Sequence, residues 1–261
     1  MKNILTVLLT IFIVIPAISS AETLQKTIKR TIPVSPDAVV ILENTNGAVE
    51  VEGWDGKEVI IEAQKTVRGS SSSTVEMYFQ KTRINVRKEG KNVIIRTIMP
   101  KRHFSFWKMI FGGAANISVK YRLKVPYSIT AKIRTTNGSI TATHLKGVVM
   151  LSTTNGKIDI QETTGLVKAK TTNGSIRAEL AQLQPDGEYE MQTTNGSIKI
   201  WLPANAMFEV HAQTTNGSIE SDFPVKVKGR LTGNAMEGVV GEGGPVFLLQ
   251  TTNGSITLRA R

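Results

Sequence analysis

The sequence predicts an all-β solenoid, a β-helix-like stack of short coils, on three observations. The tripeptide Thr-Asn-Gly occurs seven times, the residues on either side of it alternate apolar and polar, and the copies agree in residue identity rather than merely in type. The pairs are Asn46-Gly47, Asn137-Gly138, Asn155-Gly156, Asn173-Gly174, Asn195-Gly196, Asn216-Gly217 and Asn253-Gly254. Five of them sit in the longer string TTNGSI, and most regular copies recur every 18–22 residues.

Alignment on the Asn exposes a pleat. Six residues before it stand Ala131, Val149, Val167, Tyr189, Val210 and Phe247; three after it stand Ile140, Ile158, Ile176, Ile198, Ile219 and Ile256. Polar residues intervene, Arg134, Ser152, Lys170, Gln192, Gln213 and Gln250 before the turn and Thr141, Asp159, Arg177, Lys199, Glu220 and Thr257 after it. Period-two alternation on both flanks means strand, corner, strand, with one buried face. Asn-Gly suits the corner because Gly accepts positive φ and Asn tolerates the left-handed region. An antiparallel β-meander would show the same alternation, each Asn-Gly then closing a hairpin. Identity in register favours the solenoid, because like stacked on like forms Thr, Asn and Ile ladders that only identical neighbours complete.

The elements follow in chain order. Lys2, the apolar run Ile4 to Ile15, Pro16 and then Ser19-Ser20-Ala21 read as a secretory signal peptide over residues 1–21, so the mature chain is expected to start near Glu22. Export to the periplasm, the cell surface or the medium follows from it. Residues 22–130 read as irregular N-terminal coils that cap the solenoid, residues 131–261 as the regular repeats, and 22–261 as one continuous domain. Within the cap, NTNGAVEV is a divergent first unit, and Val59 to Ala63 a strand. Arg68 to Thr74 reads as a mobile Gly/Ser-rich loop, and the spacing of Ser73 and Glu76 places one short helix over Thr74 to Thr82. Strands are expected at Ile84 to Arg87, Val93 to Ile98 and Ile117 to Val125. Two insertions interrupt the pattern. Gly229 to Gly244 is expected to be a flexible loop. Phe104, Phe106, Trp107 and Phe111 lie beside Lys101, Arg102 and Lys108, a composition that suits membrane or partner contact, or a lid over the open end of the stack.

The familiar catalytic strings GxSxG, HExxH, CxxC and the P-loop are absent, and there is no Cys. No catalytic residue, cofactor or metal site is therefore expected. His103, His144 and His211 lie far apart in sequence, and His144 and His211 read as surface residues. The outward row Asp159, Arg177, Lys199 and Glu220 would cross successive coils, as a polysaccharide-cleaving β-helix would need, but reads as a solvated face of mixed charge. The net charge of +11 favours an anionic neighbour, and nucleic-acid motifs are missing. The expected partner is an anionic glycan, an envelope surface or a membrane protein, with no span of the chain crossing a membrane once the signal is removed.

The runs VKYRLKVP, IRTTNGSITATHLKGVV, STTNGKIDI and KAKTTNGSI resemble the bacterial putative-adhesin domains of unknown function, as do the opening ILENTNGAVEVEGWDGKEV and the closing GEGGPVFLLQTTNGSITLR. The resemblance covers nearly all of the chain after the signal. It implies a β-solenoid in an exported protein and no catalytic residue. The expected function is thus that of a non-enzymatic adhesin-like binding or scaffold protein of the cell envelope. The alternatives are a polysaccharide-active β-helix enzyme, or a periplasmic accessory protein that binds a membrane partner.

Overall fold

Ile140, Ile158, Ile176, Ile198 and Ile256 are all buried, and each lies beside the next in parallel register. That one row separates the two architectures: a meander would pair such residues antiparallel, and the chain stacks them as coils. The computed structural model describes residues 22–100 and 115–261. The signal peptide read over 1–21 and the aromatic segment at 101–111 lie outside the described residues.

The strands are β1 (Glu22–Pro33), β2 (Val39–Glu43), β3 (Val49–Trp54), β4 (Glu58–Gly69), β5 (Arg83–Glu89), β6 (Asn92–Ile98) and β7 (Ala115–Pro126), with α1 (Ser72–Lys81) between β4 and β5. The repeats supply β8 (Thr130–Arg134), β9 (Ile140–Thr143), β10 (Val149–Ser152), β11 (Ile158–Thr163), β12 (Val167–Lys170), β13 (Ile176–Leu180), β14 (Glu188–Gln192) and β15 (Ile198–Leu202). The chain ends with β16 (Phe208–Asn216), β17 (Ile219–Ser221), β18 (Lys226–Thr232), β19 (Ala235–Val240), β20 (Val246–Asn253) and β21 (Ile256–Ala260).

Two sheets face each other. The first has the order β1-β4-β7-β3-β9-β11-β13-β15-β21-β17, and the second β18-β19-β16-β20-β14-β12-β10-β8-β2-β6-β5. Each coil runs along the second sheet, turns at Asn-Gly, and returns along the first. Their inner faces share one apolar core that runs from Ala38 to Leu258. Each buried Ile or Val contributes about 1.5–3 kcal/mol. Near the C-terminal end the core widens to hold aromatic rings: Tyr189 stacks on Phe247 at 4.8 Å, and Phe208 meets Phe247 edge-on at 5.3 Å.

The coils are not stacked in chain order. The Asn contacts run 46–137–155–173–195–253, and Asn216 then pairs with Asn253. The last coil of the sequence is thus wedged between the coils of Asn195 and Asn216. This corrects the outward row expected from Asp159, Arg177, Lys199 and Glu220. Lys199 lies beside Thr257, and Thr257 beside Glu220, so the last two charges are not neighbours.

Three local expectations also change. The segment from Arg68 to Thr74 is no loop, because β4 stays paired with β1 as far as Gly69 and α1 begins at Ser72. The helix is capped by the Ser71 hydroxyl, which accepts from the Thr74 amide, rather than from Ser73. Gly229 to Gly244 is largely a hairpin: β18 and β19 pair antiparallel, with Thr232 opposite Ala235 and Gly233-Asn234 as the two-residue loop. Gly-Asn between two strands is a known hairpin signal, hidden here by the abundance of Gly around it.

Candidate binding surface

All seven Asn-Gly pairs fall on one edge of the solenoid, where the chain passes from the second sheet to the first. Each Asn side chain donates to the next: Asn137 Nδ2 to Asn46 Oδ1, Asn155 to Asn137, Asn173 to Asn155, Asn195 to Asn173, Asn253 to Asn195 and Asn216 to Asn253, all at 2.7–2.8 Å. At the near end Asn46 Nδ2 donates to the backbone carbonyl of Ile117. In the six units other than that of Asn46, one Thr before the Asn is buried and donates to the Gly carbonyl of the neighbouring coil, as Thr153 does to Gly138 and Thr171 to Gly156, both at 2.9 Å.

The glycines have a different reason than the sequence offered. Among the described residues, positive φ outside Gly occurs only at His144 and Glu162, so no ladder Asn is left-handed. Of the ladder glycines Gly47, Gly196 and Gly254 have positive φ, at 121°, 159° and 152°, and the other four do not. What forbids a side chain is space. A Cβ added to Gly156 would stand 2.5 Å from the carbonyl carbon of Gly138. The corner glycines let one backbone lie directly on the next.

Asn44 takes the place of the buried Thr in the first unit. Its Nδ2 donates to Val119 O of β7 at 2.9 Å and to Asn46 O and Gly47 O at 3.2 Å. Its Oδ1 is buried and has no partner among the described residues. The string NTNG against TTNG carried that signal.

The corner is thus a structural seam, and a broad open surface lies on the outer face of the second sheet. Parallel register aligns Ile41, Lys132, Met150 and Lys168 in one row across β2, β8, β10 and β12. Glu43, Arg134, Ser152 and Lys170 form the next row. Together they line a shallow groove of about 340 Å³. Its floor is apolar, with Met150 exposed, and its rim sets Lys132, Arg134, Lys168 and Lys170 against Glu43 and Glu190. Lys168 pairs with Glu188 at 2.6 Å and Glu43 with Arg96 at 2.9 Å. Lys132, Arg134 and Lys170 have no carboxylate partner among the described residues.

Further along, β14, β16 and β19 turn this face acidic, around an open hollow of about 600 Å³. There His211 lies 3.6 Å from Glu209 and 3.4 Å from Glu237. His144 sits 3.1 Å from Glu162 on the opposite bend. The two histidines are not brought together. On the first sheet Trp201 lies under Arg177 at 4.3 Å and Lys199 at 4.8 Å, while Arg259 binds Glu220 and Asp222. Phe104, Phe106, Trp107 and Phe111 lie outside the described residues.

Among the described residues, the carboxylates with a displaced pKa all move down. The Ser35 hydroxyl holds Asp37 low, the Lys29 ammonium holds Glu62 low, and the Arg259 guanidinium holds Asp222 low. Partial burial pushes Glu50 up, but Lys120 and Arg122 more than offset it.

A family model described as Toastrack DUF4097 matches residues 113–259, more than half of the chain. The chain belongs to the Toastrack DUF4097 family. The match takes in every regular coil of this Toastrack chain from Asn137 to Asn253, and the unit of Asn46 stacks beside it in the same register. Solved structures with a similar outline include a putative cell adhesion protein from Clostridium sporogenes ATCC 15579, at 11% identity and TM-score 0.44, covering 90% of this chain and 100% of that one. A putative adhesin from Bacteroides fragilis NCTC 9343 shares 13% identity at TM-score 0.41, covering 90% of this chain and 97% of that one. No curated protein matches the Toastrack chain.

Proposed function

We propose that this Toastrack protein is an exported, non-catalytic binding or scaffold protein of the cell envelope, and that it holds an anionic glycan along the outer face of its second sheet. The observation that carries this is the groove over β2, β8, β10 and β12. It offers three cations, Lys132, Arg134 and Lys170, that have no carboxylate partner among the described residues, around an apolar floor. A uronic-acid chain has both parts such a groove needs: regularly spaced carboxylates for the cations, and pyranose faces for Ile41 and Met150.

Two features support a role without chemistry. A general acid working near neutral pH needs a raised carboxyl pKa, and the displaced carboxylates here are all lowered by neighbouring donors and cations. The histidine with two acids nearby, His211, sits on an open sheet face rather than in an enclosed cleft. The export half of the proposal rests on the leader-like segment before Glu22. Among the described residues no helix is long and apolar enough to cross a membrane.

The test is affinity electrophoresis through gels that contain polygalacturonate or, as control, neutral dextran. Retardation by the acidic polymer alone, weakened by added salt, is expected. The variant Lys132→Glu/Arg134→Glu/Lys170→Glu, all on the outer face, should lose about tenfold or more in affinity, since exposed charge pairs contribute about 0.2–1 kcal/mol each. Equal retardation in dextran, or an unaffected triple variant, overturns the glycan reading. Protein released from the envelope should begin at Glu22; an intact Met1 overturns export.

A further inference from the structure

An Asn followed by Gly carries a latent reaction. The glycine amide nitrogen attacks the asparagine side-chain carbonyl carbon, a C–N bond forms, and the side-chain nitrogen leaves as ammonia with the proton the amide gave up. Water then opens the cyclic imide at either carbonyl and leaves aspartate or isoaspartate. Nothing but water is consumed. Two things hold the reaction back: a glycine N–H committed to a hydrogen bond, and a side-chain amide fixed in place.

Six of the seven repeats have both restraints. Gly47 N donates to Asn137 O at 2.8 Å, Gly138 to Asn155 at 2.9 Å, Gly156 to Asn173 at 3.0 Å, and Gly174, Gly196 and Gly254 to Asn195, Asn253 and Asn216 at 2.9 Å. In each of these six coils the Asn Oδ1 also accepts the ladder bond of the following coil.

The seventh lacks the first and half of the second, because Asn216 Nδ2 still donates to Asn253 Oδ1 at 2.7 Å but nothing holds its own oxygen. No coil lies beyond Asn216, so among the described residues its Oδ1 accepts no ladder bond and Gly217 N–H has no acceptor. The β18–β19 hairpin does reach over this end. Its turn accepts from Thr214 N through Asn234 O at 2.9 Å and from Ile219 N through Gly233 O at 3.3 Å, which leaves the glycine between them uncovered. Gly217 is accordingly exposed, whereas the other six ladder glycines are half-buried.

The structure assigns Asn216 as a site of spontaneous deamidation, with the six like-sequenced asparagines protected. The product loosens the coil that bears it. An aspartate at this position no longer donates to Asn253 Oδ1 and sets a carboxylate against that oxygen; isoaspartate also lengthens the backbone between β16 and β17.

The experiment is to hold the folded full chain in mildly alkaline buffer, quench and digest at acid pH, and follow amide-to-acid conversion at each Asn-Gly by mass spectrometry. Conversion at Asn216 should outpace every other ladder Asn by roughly tenfold or more, which corresponds to about 1.4 kcal/mol of extra protection inside the stack. In urea the advantage should vanish, because the seven sites share the Thr-Asn-Gly sequence. The Asn216→Gln variant should lose the early product and leave the rates at Asn46, Asn137, Asn155, Asn173 and Asn195, whose ladder bonds it does not touch, unchanged. Equal rates in the folded chain, an inner Asn faster than Asn216, or an advantage that survives in urea would overturn the assignment.

Discussion

Each residue of the Thr-Asn-Gly string does one separable thing. The buried Thr before it ties its coil to the neighbouring Gly carbonyl, the Asn carries the amide ladder, and the Gly removes the atom that would hold two backbones apart. The recurrence of these residues was legible as a ladder because only stacking explains identity at every copy. The reason for the glycine was not legible, since crowding and positive φ ask for the same residue. A pair of substitutions separates the two reasons. Gly90 has φ 58° and open space around it, so Gly90→Ala should cost about 1 kcal/mol of backbone strain. Gly156→Ala should cost more, about 3 kcal/mol, because coils must part to admit the methyl group. Urea unfolding of the two variants measures both, and a smaller loss at Gly156 would contradict the crowding account.

At the scale of elements, the N-terminal end shows how an irregular cap is fastened. Lys65 Nζ donates to the carbonyls of Phe79 and Thr82 at 2.7 and 2.9 Å and lies 4.0 Å above the Phe79 ring, so a strand residue closes the C-terminus of α1. Nothing local to Lys65 announces that role, which arises only when the helix folds back over β4. The outer face of β1, β4, β7 and β3 carries a chain of opposite charges: Lys29 to Glu62 at 3.2 Å, Arg122 to Glu62 at 3.3 Å and to Glu50 at 3.1 Å, and Lys120 to Glu50 at 2.6 Å. Glu62 and Glu50 are both held below their ordinary value of 4.5. Carboxylates lowered in the folded state stabilise it above the unfolded value and lose that effect as pH falls through the lowered one. The urea midpoint should therefore drop as pH falls below 4.5. The variant Glu50→Gln/Glu62→Gln should show a shallower drop; an unchanged acid slope would mean that these pairs do not couple to folding.

For the molecule as a whole, what escaped the sequence is the order of the coils. The repeats of Asn216 and Asn253 carry the same TTNGSI string, so either fits beside Asn195, and local chemistry cannot choose. The choice is made by what separates them: the hairpin β18–β19 pairs with β16 and not with β20, which forces β16 outward and leaves its former neighbour position for β20. The ladder consequently joins residues 58 apart at this end, and at the other the segment from β4 to β7 sets its partners 91 apart. Such contacts make folding slower than a stack built strictly neighbour by neighbour. Truncation tests the arrangement. A solenoid in chain order would lose only its last coil if the chain ended at Gly244. Here that cut removes β20 and β21, the strands that join β16 and β17 to the rest. Hydrogen exchange across β16–β19 should become as fast as in an unfolded chain while β8–β13 stay protected. Retained protection in β16 would show that it can close directly on β14.

The amide ladder also has a direction. Every rung donates toward the N-terminal end and all but Asn216 accept from the far side, so the side-chain dipoles add head to tail and give the long axis an electrical sense, negative at Asn216. A second copy could lengthen the row only head to tail, by bringing a free rung donor to Asn216 Oδ1. The rung donor of Asn46 is already given to Ile117 O beneath β7, β4 and β1. The cap thereby serves as a chain terminator, and a seam that would otherwise template a fibre stays within one molecule.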